Sequence, residues 1–191
     1  MSALTDWKEI VREREPLANY TWFRTGGPAE YFVTPRSQEE LAAVVKRCRE
    51  ESLPVRRLGG GSNLLVGDAG VSGVVIRLSD PAFASIQVKE DRVVTGGGAK
   101  LGHVISTSVS QGLAGLESLV GIPGTIGGAL HGNAGGHGGD IGQWTNSATV
   151  LTRGGELLTR TRQEMNFAYR ESSLDELVIL EAEFRLDRDD P

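Results

Sequence analysis

Residues 55–64 read VRRLGGGSNL, a short strand, Val55–Leu58, that runs straight into three consecutive glycines. Glycines in series free neighbouring backbone N–H groups to point one way, which makes a concave anion site able to hold a phosphate. The Ser62 hydroxyl and the Asn63 amide add donors beside it. A tight structural turn with no ligand is the other reading of the same residues. The stretch excludes two common nucleotide folds. The sequence has no G-x-x-x-x-G-K-[ST] loop, and Gly59-x-Gly61 is followed by Leu64 where a dinucleotide fingerprint needs a third glycine, with no helical pattern after it.

Working outward, the spacing predicts a helix over Ser37–Ser52. Ser37-x-x-Glu40 forms a capping box, and Leu41, Val44, Val45 and Cys48 recur at helical spacing, with Cys48 read as a small buried hydrophobe. Strands are expected at residues 29–35, ended by Pro35, and at Gly73–Leu78, which gives a βαββ-like unit over the first 75 residues. Leu4, Trp7, Ile10 and Val11 share one face of an expected helix at residues 3–14. Beyond residue 80, Ile86–Val88 and Arg92–Val94 alternate as a hairpin around Glu90-Asp91, and Leu101–Gln111 reads as a helix. Strands follow at Ser147–Thr152 and Glu156–Thr161 across a Gly154-Gly155 turn, and at Leu177–Leu186. Between Gly112 and Gly142 no periodic pattern survives, an unusually long stretch that points to function or to an ordering partner.

Glycine is concentrated rather than spread. Of 26 glycines, six fall between Gly59 and Gly73 and sixteen between Gly96 and Gly142, as neither a collagen-like repeat nor a disordered tract would have them. Within the second cluster, residues 121–129 read GIPGTIGGA, a backbone able to pass close to something flat or anionic, and Gly132–Gly138 continue it. A linker is a poor reading, because Leu116, Val120, Ile122, Ile126, Leu130 and Ile141 want burial.

The bulk numbers bound the rest. The net charge of −5 lacks the basic face that general nucleic-acid binding needs, without excluding a small anion held by backbone amides. One cysteine and three dispersed histidines make neither a disulfide nor a zinc site. No signal peptide and no apolar run of membrane-spanning length is read, so a cytoplasmic protein is expected, with no membrane or nucleic-acid partner and no metal. His103, His131 and His137 read as satisfied or exposed imidazoles. Tyr169-Arg170 is either a carboxylate clamp or a surface pair. No Ser-His-Asp or Cys-His arrangement is present in the pattern.

Three motifs then coincide in order: TWFRTGGPA at 21–29, LGGGSNLLVGD at 58–68 and GLESLVGIPGTIGGALHGNAGGHG at 115–138. With Tyr169-Arg170 they closely resemble the UDP-N-acetylenolpyruvoylglucosamine reductases, also called UDP-N-acetylmuramate dehydrogenases, from about Pro16 to Leu186. The resemblance implies an α+β fold of the vanillyl-alcohol-oxidase (PCMH) type, with two α+β subdomains, expected at 1–75 and 76–191, holding non-covalent FAD between them. It implies that Gly59, Gly60, Gly61, Ser62, Asn63 and Leu64 bind the pyrophosphate. Gly98, Gly121, Ile122, Pro123, Gly124, Thr125, Gly127, Gly128 and Ala129 would contact the cofactor, and Asn133 would fix their loop. It further implies NADPH as reductant and a UDP-sugar enolpyruvate as substrate in peptidoglycan precursor synthesis. Arg170 would be the catalytic arginine at the substrate carboxylate, with Tyr169 beside it. The family's chain continues into a substrate domain that carries a G-S-x-F-K-N-P-like serine as proton donor and a later glutamate. The only Gly-Ser pair here is Gly61-Ser62. The expectation is therefore the FAD-binding part of the reductase, the substrate domain being absent from these residues, with the complete enzyme a longer chain or one whose missing domain a second polypeptide supplies. The alternatives are a stand-alone FAD-binding module without reductase activity, or a nucleotide-phosphate module with no flavin.

Overall fold

The structure is a computed structural model that describes residues 4–189. Two β-sheets carry the chain. The first contains β1 (Val11–Pro16), β2 (Pro28–Val33), β3 (Val55–Arg57) and β4 (Val71–Ile76) in the order β1-β2-β4-β3, with α1 (Gln38–Glu50) crossing from β2 to β3. β1 pairs antiparallel with β2, whereas β4 runs parallel to both β2 and β3. The helix starts where the capping box puts it: Ser37 Oγ accepts from the Glu40 N–H at 3.2 Å, and Glu40 Oε2 accepts from the Arg36 N–H at 2.8 Å. Arg36 hydrogen bonds hold the Glu40 carboxyl below the usual carboxylate range.

The second sheet uses β5 (Ile86–Lys89), β6 (Arg92–Gly96), β10 (Thr145–Leu151), β11 (Leu157–Thr161) and β12 (Val178–Arg185), ordered β11-β10-β12-β6-β5 and antiparallel throughout. Between β6 and β10 lie α2 (Leu101–Ser110), β7 (Leu113–Ala114), α3 (Ile126–His131), β8 (Gly135–Gly136) and β9 (Gly139–Asp140), and a short β13 (Asp187–Arg188) closes on β7.

β12 is the wall that the two cores share, and its alternation of faces is reset by a bulge at Leu180, where the pairing with β10 steps from Glu181 to Ile179. Val178 and Leu180 join Leu41, Val44, Val45 and Cys48 of α1 with Val33, Val74 and Ile76 of the first sheet. Ile179, Ala182 and Phe184 join Leu101, Val104 and Ile105 of α2 and Ile126, Ala129 and Leu130 of α3.

Two sequence expectations are corrected. Residues 3–14 are not a helix. A single 3-10 turn at Thr5–Trp7 precedes β1, and Met1 to Ala3 lie outside the described residues. Leu4 and Ile10 are nevertheless buried in the α1 core with Trp7 and Val11 against it, so the apolar spacing marked burial and not helix. The stretch 112–142 is not structureless either. It holds α3, three short strands and two 3-10 turns, at Glu117–Leu119 and Ile141–Gln143, all too brief to leave a periodic signature.

Candidate functional site

A cavity of about 1050 Å³ opens where the carboxyl ends of β3 and β4 face α3 and the start of β12. Its size suits a large cofactor.

Its first wall is the turn after β3. Gly61 takes φ +67, and a Cβ there would collide with the Tyr20 carbonyl, so only glycine fits. Gly59 and Gly60 face the second glycine motif: a Cβ on either would come within 2.9 Å of Thr125 Oγ1 or the Gly124 Cα, respectively. Ser62 Oγ donates to the Pro123 carbonyl at 3.1 Å, which ties together two loops 61 residues apart.

The second wall is Ile122–Ala129. Gly124 O accepts from Leu101 N–H, Ile126 N–H donates to Ala99 O at 2.9 Å, and Gly127 N–H donates to Gly97 O at 2.8 Å. This loop is therefore fastened to residues 97–101, which in turn hang on β12 through Gly97 N–H donating to Leu180 O. A Cβ at Gly98 would meet the Leu78 carbonyl and one at Gly97 the Ile179 carbonyl, so these glycines serve close backbone packing beneath the cavity floor. Ile76, Leu78, Val178 and Ile179 supply its apolar surface.

Asn133, buried at φ +40, accepts from the Gly142 N–H at 3.0 Å and donates to the Ala168 carbonyl at 2.8 Å. That second bond places the Tyr169-Arg170 turn, closed by paired backbone bonds between Ala168 and Glu171 with Arg170 at φ +56. Ser172 Oγ donates to the His131 carbonyl and fastens the other side of the turn. Arg170 and Tyr169 line the rim, both exposed, with the guanidinium carbon 5.8 Å from the Tyr169 ring centroid.

Of the cofactor, substrate and catalytic residues expected from sequence, all but Gly121 border this one cavity: Gly59–Leu64, Gly98, Ile122–Thr125, Gly127–Ala129, Asn133, Tyr169 and Arg170, whereas His103 and His137 lie outside its lining. Gly121 takes φ +85 at an exposed turn with open space around it. Sequence reasoning passed over Arg57 and did not credit His131, which also line it. Arg57 carries no signal of its own, being one arginine of a strand. His131 is satisfied as expected, by Leu174 O and Arg57. Gly26 and Gly27 acquire a structural role, since a Cβ on Gly27 would strike the Asp68 carbonyl. Among the described residues, no group of three His, Cys, Asp or Glu could hold a metal ion, and no helix is long and apolar enough to cross a membrane.

Comparison with known proteins adds the following. A family profile described as FAD binding domain matches residues 29–161. A UDP-N-acetylenolpyruvoylglucosamine reductase of Rhodopirellula baltica is 40% identical over 185 residues, 97% of this chain and 61% of that protein. One of Listeria innocua is 42% identical over 94% of this chain and 60% of its own length. The chain thus spans about three fifths of these curated relatives. Among solved structures, a UDP-N-acetylenolpyruvylglucosamine reductase from Thermus caldophilus superposes with a TM-score of 0.82 at 34% identity, over 94% of this chain and 64% of that one. A 6-hydroxy-D-nicotine oxidase from Arthrobacter nicotinovorans shares the fold, with a TM-score of 0.68 at 21% identity over 96% of this chain and 40% of that one.

Proposed function

Since the chain belongs to the FAD binding domain family, with the α+β fold of that family, we propose that it is the flavin-holding part of a UDP-N-acetylenolpyruvoylglucosamine reductase acting in peptidoglycan precursor synthesis. One observation carries this reading. The two glycine motifs meet through the Ser62–Pro123 bond on one side of a large cavity, and Arg170 stands at its rim.

The lining fits FAD. The turn Gly59–Asn63 offers backbone donors beside Ser62 and Asn63 for a pyrophosphate. Pro123, Gly124 and Thr125 leave a wall with few side chains, and Ile76, Leu78, Val178 and Ile179 offer an apolar surface for a ring system. The cofactor, when bound, would carry hydride from NADPH to the enolpyruvyl double bond of UDP-N-acetylglucosamine enolpyruvate. Arg170 would hold the substrate carboxylate with charge-assisted hydrogen bonds that strengthen as negative charge spreads from the double bond. Tyr169 shields one face of that guanidinium. Asn133 and Ser172 fix the turn and so spare the rate the entropy of positioning it.

Purified protein is expected to be yellow, or to become so with added FAD, and to have its flavin bleached by NADPH. A colourless protein that ignores FAD overturns the proposal. Flavin reduction without turnover of the UDP-sugar would instead favour a flavin-holding module that does not reduce it.

A further inference from the structure

α3 orders the cavity from end to end. At its amino end, Gly59 and Gly60 lie against Thr125 and Gly124. At its carboxyl end, six residues and about 9 Å further on, His131 meets Arg57. Arg57 ends β3 two residues before the first glycine, and its guanidinium is held by Glu176 and His131. Nη1 donates to the Glu176 carbonyl at 2.9 Å, and Nη2 lies 3.1 Å from His131 Nε2. His131 Nδ1 lies 2.9 Å from the Leu174 carbonyl. Nη2 is also 3.2 Å from His131 Nδ1, so the guanidinium lies against the imidazole ring near both nitrogens, and the Leu174 carbonyl fixes the ring's orientation. The same end of the helix fastens the Arg170 turn through His131 O and Asn133.

The partners of Arg57 are a backbone carbonyl and an imidazole ring, neither of them a carboxylate. No carboxylate forms an ion pair with it among the described residues, and Glu176, whose carbonyl it holds, spends Oε1 on Arg160 at 2.6 Å. Burial lowers the Arg57 pKa and Arg153 adds repulsion, while Asp175 and Glu176 attract it only through space. A half-buried guanidinium without a carboxylate partner costs free energy unless a ligand brings negative charge to it.

We propose that Arg57, oriented by His131, is a ligand-facing cation of the reacting end, placed to pair with the negative charge that the bound flavin gains on reduction. This rests on the flavin reading above. In that reading the pyrophosphate takes the glycine turn at the other end of α3 and the substrate carboxylate takes Arg170, which leaves Arg57 for the part of the cofactor whose charge changes. Hydride transfer from a nicotinamide nucleotide adds two electrons and one proton, so the cofactor gains one negative charge and the nicotinamide leaves oxidised. A fixed cation nearby favours that charged form.

The test is the midpoint potential of the FAD-loaded protein, measured by equilibration with a redox dye, beside its affinity for oxidised FAD and for riboflavin. Arg57→Met should lower the preference for reduced over oxidised FAD about tenfold, ~30 mV for a two-electron couple. Its oxidised FAD affinity should stay within about threefold, and Arg57→Lys should recover most of the potential because it keeps the charge. Should the Met variant fail to fold, Arg57→Gln, which retains a donor for Glu176 O, must show the same drop. An unchanged potential overturns the proposal. So does a collapse of FAD affinity with riboflavin affinity intact, which would make Arg57 a phosphate contact. Wild-type protein that binds no FAD overturns the flavin reading itself, a separate outcome.

Discussion

Gly124 sits at φ +134, and a Cβ there would come 3.4 Å from Ser62 Oγ, between the two glycine loops. Gly124→Val should abolish FAD binding in a fluorescence titration while far-UV circular dichroism remains native. Unchanged affinity would detach this loop from the cofactor. Arg170 belongs to the opposite case, an exposed side chain on a turn built by other residues. Arg170→Ala should leave FAD affinity within about twofold, the scale of a surface substitution, while substrate reduction by the complete enzyme drops ~10²-fold or more. Cys48 makes a pH prediction. Burial pushes its thiol up to about 11, so the folded chain keeps a proton that the unfolded chain releases. Stability should therefore decline as pH rises from about 8.5, the ordinary thiol value, towards about 11, and Cys48→Ala should flatten that decline in denaturant titrations. The burial of Cys48 was legible from its spacing within the helix. The position of Arg57 was not, because nothing in VRR tells which arginine turns inward.

α1 was readable almost to the residue, since cap, apolar stripe and length all agree locally. Ser37→Ala should cost about 1 kcal/mol, lowering the melting temperature by roughly 2–4 °C for a chain of this size. The amino-terminal segment shows the converse. Val11–Pro16 pairs with one edge of β2, whose other edge is taken by β4, and that pairing overrides a local spacing suggestive of helix. α3 was invisible for a different reason. Its six residues, IGGALH, are held by backbone bonds from Ile126 and Gly127 to residues 99 and 97. A short helix with two glycines has little intrinsic stability, and tertiary packing supplies what propensity does not.

For the molecule as a whole, the cavity is bordered by segments from residue 57 to residue 179, so a ligand filling it should bind only the folded chain. FAD at a hundredfold excess over its dissociation constant adds about 2.7 kcal/mol, which should raise the melting temperature by roughly 5–10 °C. No shift would show that the cavity does not take FAD. The sequence by itself determined the glycine motifs, the capped helix, most strands and the candidate residues of both loops, because these depend on residue type and short-range spacing. Only the tertiary structure decided that Gly60 touches Gly124, that several glycines exist to let backbone pass backbone, and that Arg57, His131 and Arg170 gather at one end of α3. Those contacts join segments far apart in the chain. They are set by which sheet edges pair and which cores share β12, and local pattern carries no record of either.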